Sequence, residues 1–497
     1  MNFKIQYHKW SENQYKTLNK SIRDLLRITS LQFYMPLYSL YFYIHNKAKA
    51  VHKLDLKRNY YLKEVTEITK SRYYNSNMFL KGKVYDECKN LTIETELFCK
   101  SIPIVDPIHC INNNYNFVNH NNYHLPSNYN HNTFNKINDM NNTAYIDVFC
   151  SYLFGNLTYS KVNPSFPLFY GSVNGIGDYN YDLTEDYMDI KNDKCFNDNI
   201  DKGFQLEIYT SDNEYSDKHS SHSSHSSHSS HSSHSSHSSH RSDDSSDDRS
   251  SEHETTYADN DDCIAKLNQI PIQMLFIEKL DGTLEDLLDE NILEEVLLSC
   301  IFQVSFALTY LQKYFLFTHN DLHINNVMFI KTENKYLYYK YNNIYYRVPT
   351  HGYIFKIIDF GRAIFKYKNK VFMNDVFSAH GEAGGQYSHP PQVSFMIEEE
   401  KEYVRPNFHF DLCRLSMTIL EEIQPDNYSE YMINFLNKMS QNHLGMSFCD
   451  MNDDFNLYKS IAREACNCLP REIILQNIFK EYRIKKKLFP RKSFYTV

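Results

Sequence analysis

Glycine is scarce in this chain, 13 in 497 residues, and only Gly82 lies among the first hundred. A glycine-rich phosphate-binding loop is therefore absent as a motif. Paired cysteines are missing too. The 11 cysteines are odd in number, none forms a CxxC pair, and the closest are Cys466 and Cys468. Zinc ribbons and disulfide scaffolds want regular spacing, so reduced thiols in an intracellular compartment are expected. The start, MNFKIQYHKWSENQYK, lacks the apolar run of a signal peptide. LQFYMPLYSLYFYI, Leu31–Ile44, is too short to span a bilayer and contains Pro36. It reads as a buried helix or strand pair, and no transmembrane segment is expected. The net charge of −9 gives no general attraction for nucleic acid.

Apolar residues make up 42 %, enough for a sizeable core in two or three ordinary domains, or in one large domain with insertions. Residues 1–80 read as an N-terminal helical extension, with Ser11 as the N-cap of SENQYKTLNKSIRDLLRI. LTIETELFCKSIPIV, Leu91–Val105, alternates as a strand does. The Asn-rich stretch after it reads as a long loop. TAYIDVFCSYLFGNL has helical apolar spacing at Ile146, Phe149, Leu153 and Leu157. NPSFPLFYGSV reads as a strand entered through Pro164 and Pro167.

Residues of about 175–262 read as a disordered polar insertion. Within it a His-Ser-Ser repeat places histidines at 219, 222, 225 and onward to 240, followed by the acidic SDDSSDDRSSEHE. The repeat has imidazoles suited to Zn²⁺ or Ni²⁺, but reads as an expanded low-complexity linker. Ile270–Ile277 then reads as a buried strand, and Leu293–Phe315 as a central helix, apolar on most of its circumference. YLYYKYNNIYYRV is an expected hairpin turning at Asn342-Asn343, and GYIFKIIDFG an expected strand. From Phe410 the chain reads as helical to the end. Its basic tail (Arg483, Lys485, Lys486, Lys487, Arg491, Lys492) reads as a solvated terminus, with nucleic acid, an acidic substrate or a membrane surface as alternative contacts.

THNDLHINNVMF, Thr318–Phe329, concentrates polar side chains between apolar anchors. Phosphoryl transfer from ATP needs a carboxylate near the attacking hydroxyl and oxygen ligands for Mg²⁺. Asp321 and Asn326, five residues apart on one loop, suit two of these tasks. Asp359, at a strand end before Gly361, suits the third.

At these residues the sequence resembles the protein-kinase superfamily. HNDLHINN matches the catalytic loop H-x-D-L-x-x-x-N and Asp359-Phe360-Gly361 matches D-F-G. The resemblance implies an α+β, two-lobed kinase-like fold with a strand-rich small lobe and a mostly helical large lobe. Its expected bounds are 81–430, divided at 277/278, with a helical C-terminal segment over 431–497. Asp321 would be the catalytic base, Asn326 a Mg²⁺ ligand and Asp359 the principal one. Lys100, ending ETELFCK, would hold the ATP phosphates. Asp147 would be its partner acid, where the family usually has Glu. Backbone groups at Glu278 and Leu280 would meet adenine.

Several positions depart from the family pattern. Asn320 replaces the usual Arg, which makes switching by activation-loop phosphorylation less expected. His323 stands where most members have Lys. Asp321 and Asp359 lie 38 residues apart, the hairpin absorbing the excess. No A-P-E follows; GEAGGQYSHPP occupies that region. Asp411, in FDLCRLS, stands where the family has a buried structural Asp.

Phrases such as ELFCKSIPIVDP, NPSFPLFYG, YRVPTHGYIFKIIDFGRA and GGQY resemble the divergent serine/threonine kinases of large DNA viruses. That likeness implies protein substrates with Ser or Thr acceptors, no need for nucleic acid, and a host-cytoplasmic or virion location. Three alternatives stay open: a pseudokinase scaffold, a structural virion protein, and a small-molecule kinase of the choline or aminoglycoside type, whose loops HNDL and DLH also resemble.

Overall fold

Ser11 opens the first helix, α1 (Glu12–Leu26): its hydroxyl accepts from the Gln14 N–H while the Gln14 side chain accepts from the Ser11 N–H. Leu18, Ile22 and Leu26 fall on one face and are buried. The structure is a computed structural model that describes residues 5–33, 35–36, 53–71, 77–113, 115, 125–126, 135–184, 186–209, 262–379, 381–389, 404–451, 455–485 and 493–497. Most of Leu31–Ile44, much of the Asn-rich stretch, the His-Ser-Ser repeat with its acidic run, and Lys486–Lys492 lie outside the described residues.

The expected helical extension over 1–80 is corrected by the structure. Beyond α1, this region supplies strands β1 (Thr29–Gln32) and β2 (Tyr60–Ser71) to the main sheet. Three irregularities interrupt the pairing of β2, between Leu62 and Glu64, Val65 and Glu67, and Ile68 and Lys70. Each shifts the phase in which side chains alternate, so the sequence shows no clean period of two although Tyr61, Leu62 and Val65 are buried.

Next come β3 (Met78–Asp86) and β4 (Leu91–Pro103), then helix α2 (Thr143–Tyr159). Strands β5 (Phe169–Asp182), β6 (Phe204–Tyr209) and β7 (Asp262–Glu278) complete a seven-stranded sheet. Its order is β1-β5-β7-β4-β3-β2, with β6 beside the first half of β7, and every pairing is antiparallel. The described residues 175–184 and 186–209 therefore carry regular structure, against the expectation of disorder from about 175. β5 continues to Asp182, short helices at Tyr187–Ile190 and Lys194–Asn199 follow, and β6 returns to the sheet. Scattered large side chains hold this part: Leu183, Tyr187, Phe196 and Phe204 are buried, too widely spaced to give a periodic signal.

The chain then turns helical. After α3 (Leu284–Asp289), α4 (Glu294–Phe315) is buried nearly all round and ends at Leu316, which takes the left-handed conformation at φ 49°. Among the described residues α4 is the one helix long and apolar enough to cross a membrane, and it lies inside the fold. Strands β8 (Val327–Lys331) and β11 (Tyr353–Ile357) pair with each other, and the expected hairpin, β9 (Tyr336–Tyr341) and β10 (Ile344–Pro349), stands between them in sequence. Helices α5 (Phe410–Glu422), α6 (Glu430–Met439) and α7 (Phe455–Glu464) follow. The segment 431–497 is not helical to its end. Short strands at Arg483–Ile484 and Tyr495–Thr496 pair with β10 and β9, covering both hairpin edges over buried Tyr339 and Tyr346. The fold is mixed α+β.

One buried ion pair fastens the N-terminal region to the sheet. Arg58 meets Asp55 at 2.8 Å, and its guanidinium donates to the carbonyls of Leu56, Tyr60 and Tyr170. Removing one partner strands a buried charge. Arg58→Met is expected to lower stability by about 3–5 kcal/mol in urea unfolding; a loss below about 1 kcal/mol would contradict this role.

Candidate active site

Lys100 sits near the end of β4, opposite Leu275 of β7. Helix α2 crosses behind it. Asn142 caps α2 by accepting from the Ala144 N–H, and its amide donates to the carbonyls of Ile104 and Lys136. This fixes the helix against the end of β4 and puts Asp147, 1 % exposed, one turn in. Lys100 Nζ lies 2.8 Å from Asp147 Oδ2 and 2.7 Å from Asp359 Oδ1. The second Asp147 oxygen accepts from the Phe360 N–H at 3.1 Å. One lysine thus joins strand, helix and the D-F-G residues.

Charge in this cluster is strongly biased. Burial alone would push the Lys100 ammonium toward neutrality, but the Asp147 and Asp359 carboxylates outweigh it and hold its pKa up. Burial also opposes ionisation of Asp359, yet Lys100 at contact distance brings its pKa down to about 2. Asp147 moves the other way: burial raises it, Lys100 lowers it, and the nearby Asp359 charge raises it again. Asp147 is the enclosed carboxylate, and Asp359 lies on the more open side of the lysine.

Two backbone conformations aim these groups. Asp359 has φ 59° and Asn320 has φ 63°, a region non-glycine residues seldom occupy and which functional sites hold under constraint. The constraint at Asn320 is visible. Asp411, fully buried on α5, accepts from the N–H groups of both His319 and Asn320 at 3.0 Å. The Asn320 amide donates to the Arg362 carbonyl and accepts from the Tyr387 hydroxyl at 2.9 Å. His319 Nε2 is 2.8 Å from the Ile358 carbonyl, and the Ile358 N–H reaches the Asn326 carbonyl at 3.1 Å. The loop 319–326 is so tied to the residue preceding Asp359. Phe360 fills the space behind, edge-on to Phe154 of α2 at 5.0 Å and tilted against His319 at 5.6 Å.

Within the loop, the Asn326 amide nitrogen donates to the Asp321 carbonyl at 2.8 Å and lies 3.0 Å from His323 Nε2. Its nitrogen is committed, so the amide oxygen is the atom available to a cation. Burial pushes the His323 imidazole below its usual pKa of 6.5, and it is neutral at pH 7, unlike a lysine. Asp321 Oδ1 accepts from the Tyr458 hydroxyl at 3.2 Å. Tyr458 comes from α7 and is flanked by Arg362 at 5.9 Å and Arg414 at 5.6 Å. Arg362 is itself paired with Glu382.

The structure brings Lys100, Asp147 and Asp359 into direct contact, and joins Asp321 to Asn326. Glu278 ends β7 and Leu280 follows on the stretch leading to α3. The Glu278 carboxylate is turned away, to Lys356 at 2.9 Å and the Leu168 N–H at 3.0 Å, and Leu280 is buried. Gly82 lies inside β3, where an added Cβ would stand 2.8 Å from the Glu64 carbonyl. Its use is close strand packing, and residues 72–76, between β2 and β3 in sequence, lie outside the described residues. Tyr458, Tyr387 and Arg362 were not legible as site residues. Tyr458 is 137 positions from Asp321, and no motif marks it.

Among the described residues no three His, Cys, Asp or Glu side chains gather to hold a metal. Asp359 and the Asn326 oxygen suit a hard cation that takes one or two protein oxygens and completes its shell with water and substrate phosphates, as Mg²⁺ does.

The Asp359 charge is directly measurable. An ordinary aspartate titrates near about 3.9; carboxyl ¹³C NMR is expected to place Asp359 near 2, and Lys100→Met to move it upward. Because the folded value is depressed, this ionised group stabilises the fold above about pH 4 and loses that effect as pH falls toward 2. A wild-type midpoint at or above 3.8 would contradict the assignment. No protein-family model and no curated protein matches this chain.

Proposed function

We propose that the chain is an ATP- and Mg²⁺-dependent protein kinase of two-lobed architecture, transferring the γ-phosphoryl group to Ser or Thr hydroxyls. The seven-stranded sheet with α2 is the small lobe, and the helices from α3 onward form the large one. The observation that carries this reading is Lys100 held between Asp147 and Asp359, with the Asp321–Asn326 loop bonded to the residue just before Asp359.

The division of labour follows from the charges. Lys100, kept cationic, is placed to hold nucleotide phosphates, and Asp147 fixes its reach. Asp359 and the Asn326 amide oxygen are the expected Mg²⁺ ligands; the ion, when bound, neutralises charge developing between the β- and γ-phosphates. The stretch at Glu278–Leu280 offers backbone groups to adenine. Asp321 orients the acceptor hydroxyl and takes its proton. The hydroxyl oxygen bonds to the γ-phosphorus as the bond from that phosphorus to the β–γ bridging oxygen breaks, and ADP leaves. Neutral His323 supplies no lysine-like charge at the transferring group, so more of that burden falls on Lys100 and the metal. Tyr387 holds Asn320 without any phosphate, which suits an enzyme not switched through that position.

The test is transfer from γ-labelled ATP by the purified protein to a generic protein substrate. Asp321→Asn is expected to lower kcat by about 10²–10⁴-fold, the usual worth of a general base, with labelled Ser or Thr in the product. Equal activity in wild type and Asp321→Asn would overturn the reading.

A further inference from the structure

We propose that Lys63, enclosed by the rings of Trp10, Tyr61 and Tyr85, is a covalent modification site: a nucleophilic amine that takes acyl groups from thioester donors. It stands on β2, not on the strand of Lys100, and does not depend on the phosphotransfer reading.

Lys63 is the extra residue in the first irregularity of β2. Leu62 pairs with Val84 and Glu64 with Lys83, so successive partners on β3 skip it. Such a bulge re-aims a side chain. Here Nζ lies 4.5 Å from the Trp10 ring centre and 5.2 Å from those of Tyr61 and Tyr85, which pair across β2 and β3. Each ring is anchored at its polar end. Trp10 Nε1 donates to Asp55 at 2.9 Å, the Tyr61 hydroxyl accepts from the Arg58 N–H at 3.0 Å, and the Tyr85 hydroxyl donates to Asn90 at 2.7 Å. Trp10 is also stacked on Phe33 at 4.9 Å. The enclosure is built before any donor arrives, and Lys63 itself stays partly exposed.

An ammonium has three donors and no acceptor. Among the described residues Lys63 finds no oxygen to receive them. The two acids whose charge reaches it are engaged elsewhere: Asp55 with Arg58 at 2.8 Å and the Leu56 N–H at 2.7 Å, and Glu87 with Lys57 at 3.8 Å. Burial and the Arg58 charge outweigh the attraction of Asp55 and Glu87, and bring the Lys63 pKa down to about 8. His8, tilted against Tyr61 at 4.6 Å, is itself pushed below its usual range by burial. The neighbouring stretches of sequence outside the described residues, 1–4, 37–52 and 72–76, contain no Asp or Glu.

At pH 7.5 about a quarter of Lys63 is then the neutral amine, against about one part in a thousand of an ordinary lysine. Only the neutral form is a nucleophile. Its nitrogen attacks the thioester carbonyl carbon, the C–N bond forms as the C–S bond breaks, and the thiol leaves with the proton the amine gives up. The product amide is neutral, so it escapes the desolvation that the enclosed ammonium bears.

Acetyl-coenzyme A is the probe, incubated with the full chain at pH 7.5 and read by peptide mass spectrometry. Lys63 is expected to be acetylated at least about tenfold faster than the exposed Lys16 and Lys89 of the same chain. Trp10 is the only tryptophan, so its emission reports the amine beside it. A change in emission with a midpoint near pH 8 is expected in wild type and should vanish in Lys63→Arg, which keeps a cation there that does not titrate in this range; thermal melting confirms that the variant folds. Acetylation of Lys63 no faster than that of Lys16 and Lys89 would overturn the proposal. So would an emission change that persists in Lys63→Arg. If that variant does not fold, the ranking of the three lysines in wild type decides.

Discussion

The contact of Lys100 with two carboxylates governs the rest of this structure. A buried ionic cluster is a poor way to stabilise a fold, because removing charges from water costs about as much as their attraction returns. Apolar residues of similar volume would serve stability as well. The arrangement is better understood as a positioning device. Asp147 cannot escape its lysine, since α2 is capped at Asn142 and buried on most faces. Asp359 cannot rotate freely, since its backbone is held left-handed and the next N–H, that of Phe360, is bonded to Asp147. One cation therefore sets the distance between the sheet, the helix behind it and the D-F-G residues.

A second layer fixes the loop beneath. Asp411 satisfies two adjacent N–H groups that the positive φ at Asn320 turns in one direction. Asn320 passes that order to Arg362 and Tyr387, linking segments well separated in sequence. The Asn320 amide and the Tyr387 phenol are bonded to each other there. Tyr458 adds the C-terminal helices to the site, so a residue far beyond Thr318–Phe329 and Asp359–Gly361 takes part in holding Asp321.

Local patterns were legible where one element carried one period. The cap at Ser11, the helix over Thr143–Tyr159, the strand bearing Lys100 and the hairpin turning at Asn342-Asn343 all follow from residues close in sequence. The meeting of Lys100 with Asp147, 47 positions away, was expected only through the kinase resemblance. The remainder depended on distant contacts. Bulges hid the strand at Tyr60–Ser71. Widely spaced aromatic anchors hid the regular structure described within 175–209. The strands at Arg483–Ile484 and Tyr495–Thr496 exist only because the hairpin offers its edges. Tyr458 had no sequence signal because its role comes from where α7 packs.

The central claim is that the Lys100 cluster is a nucleotide-phosphate site with Asp359 as its metal ligand. Isothermal titration calorimetry of ATP binding, with and without Mg²⁺, tests it most directly on wild type and Asp359→Asn. The account predicts tighter binding with Mg²⁺ in wild type and loss of that metal dependence in the variant. Binding that ignores Mg²⁺ in wild type, or an unchanged Mg²⁺ effect in Asp359→Asn, would contradict it.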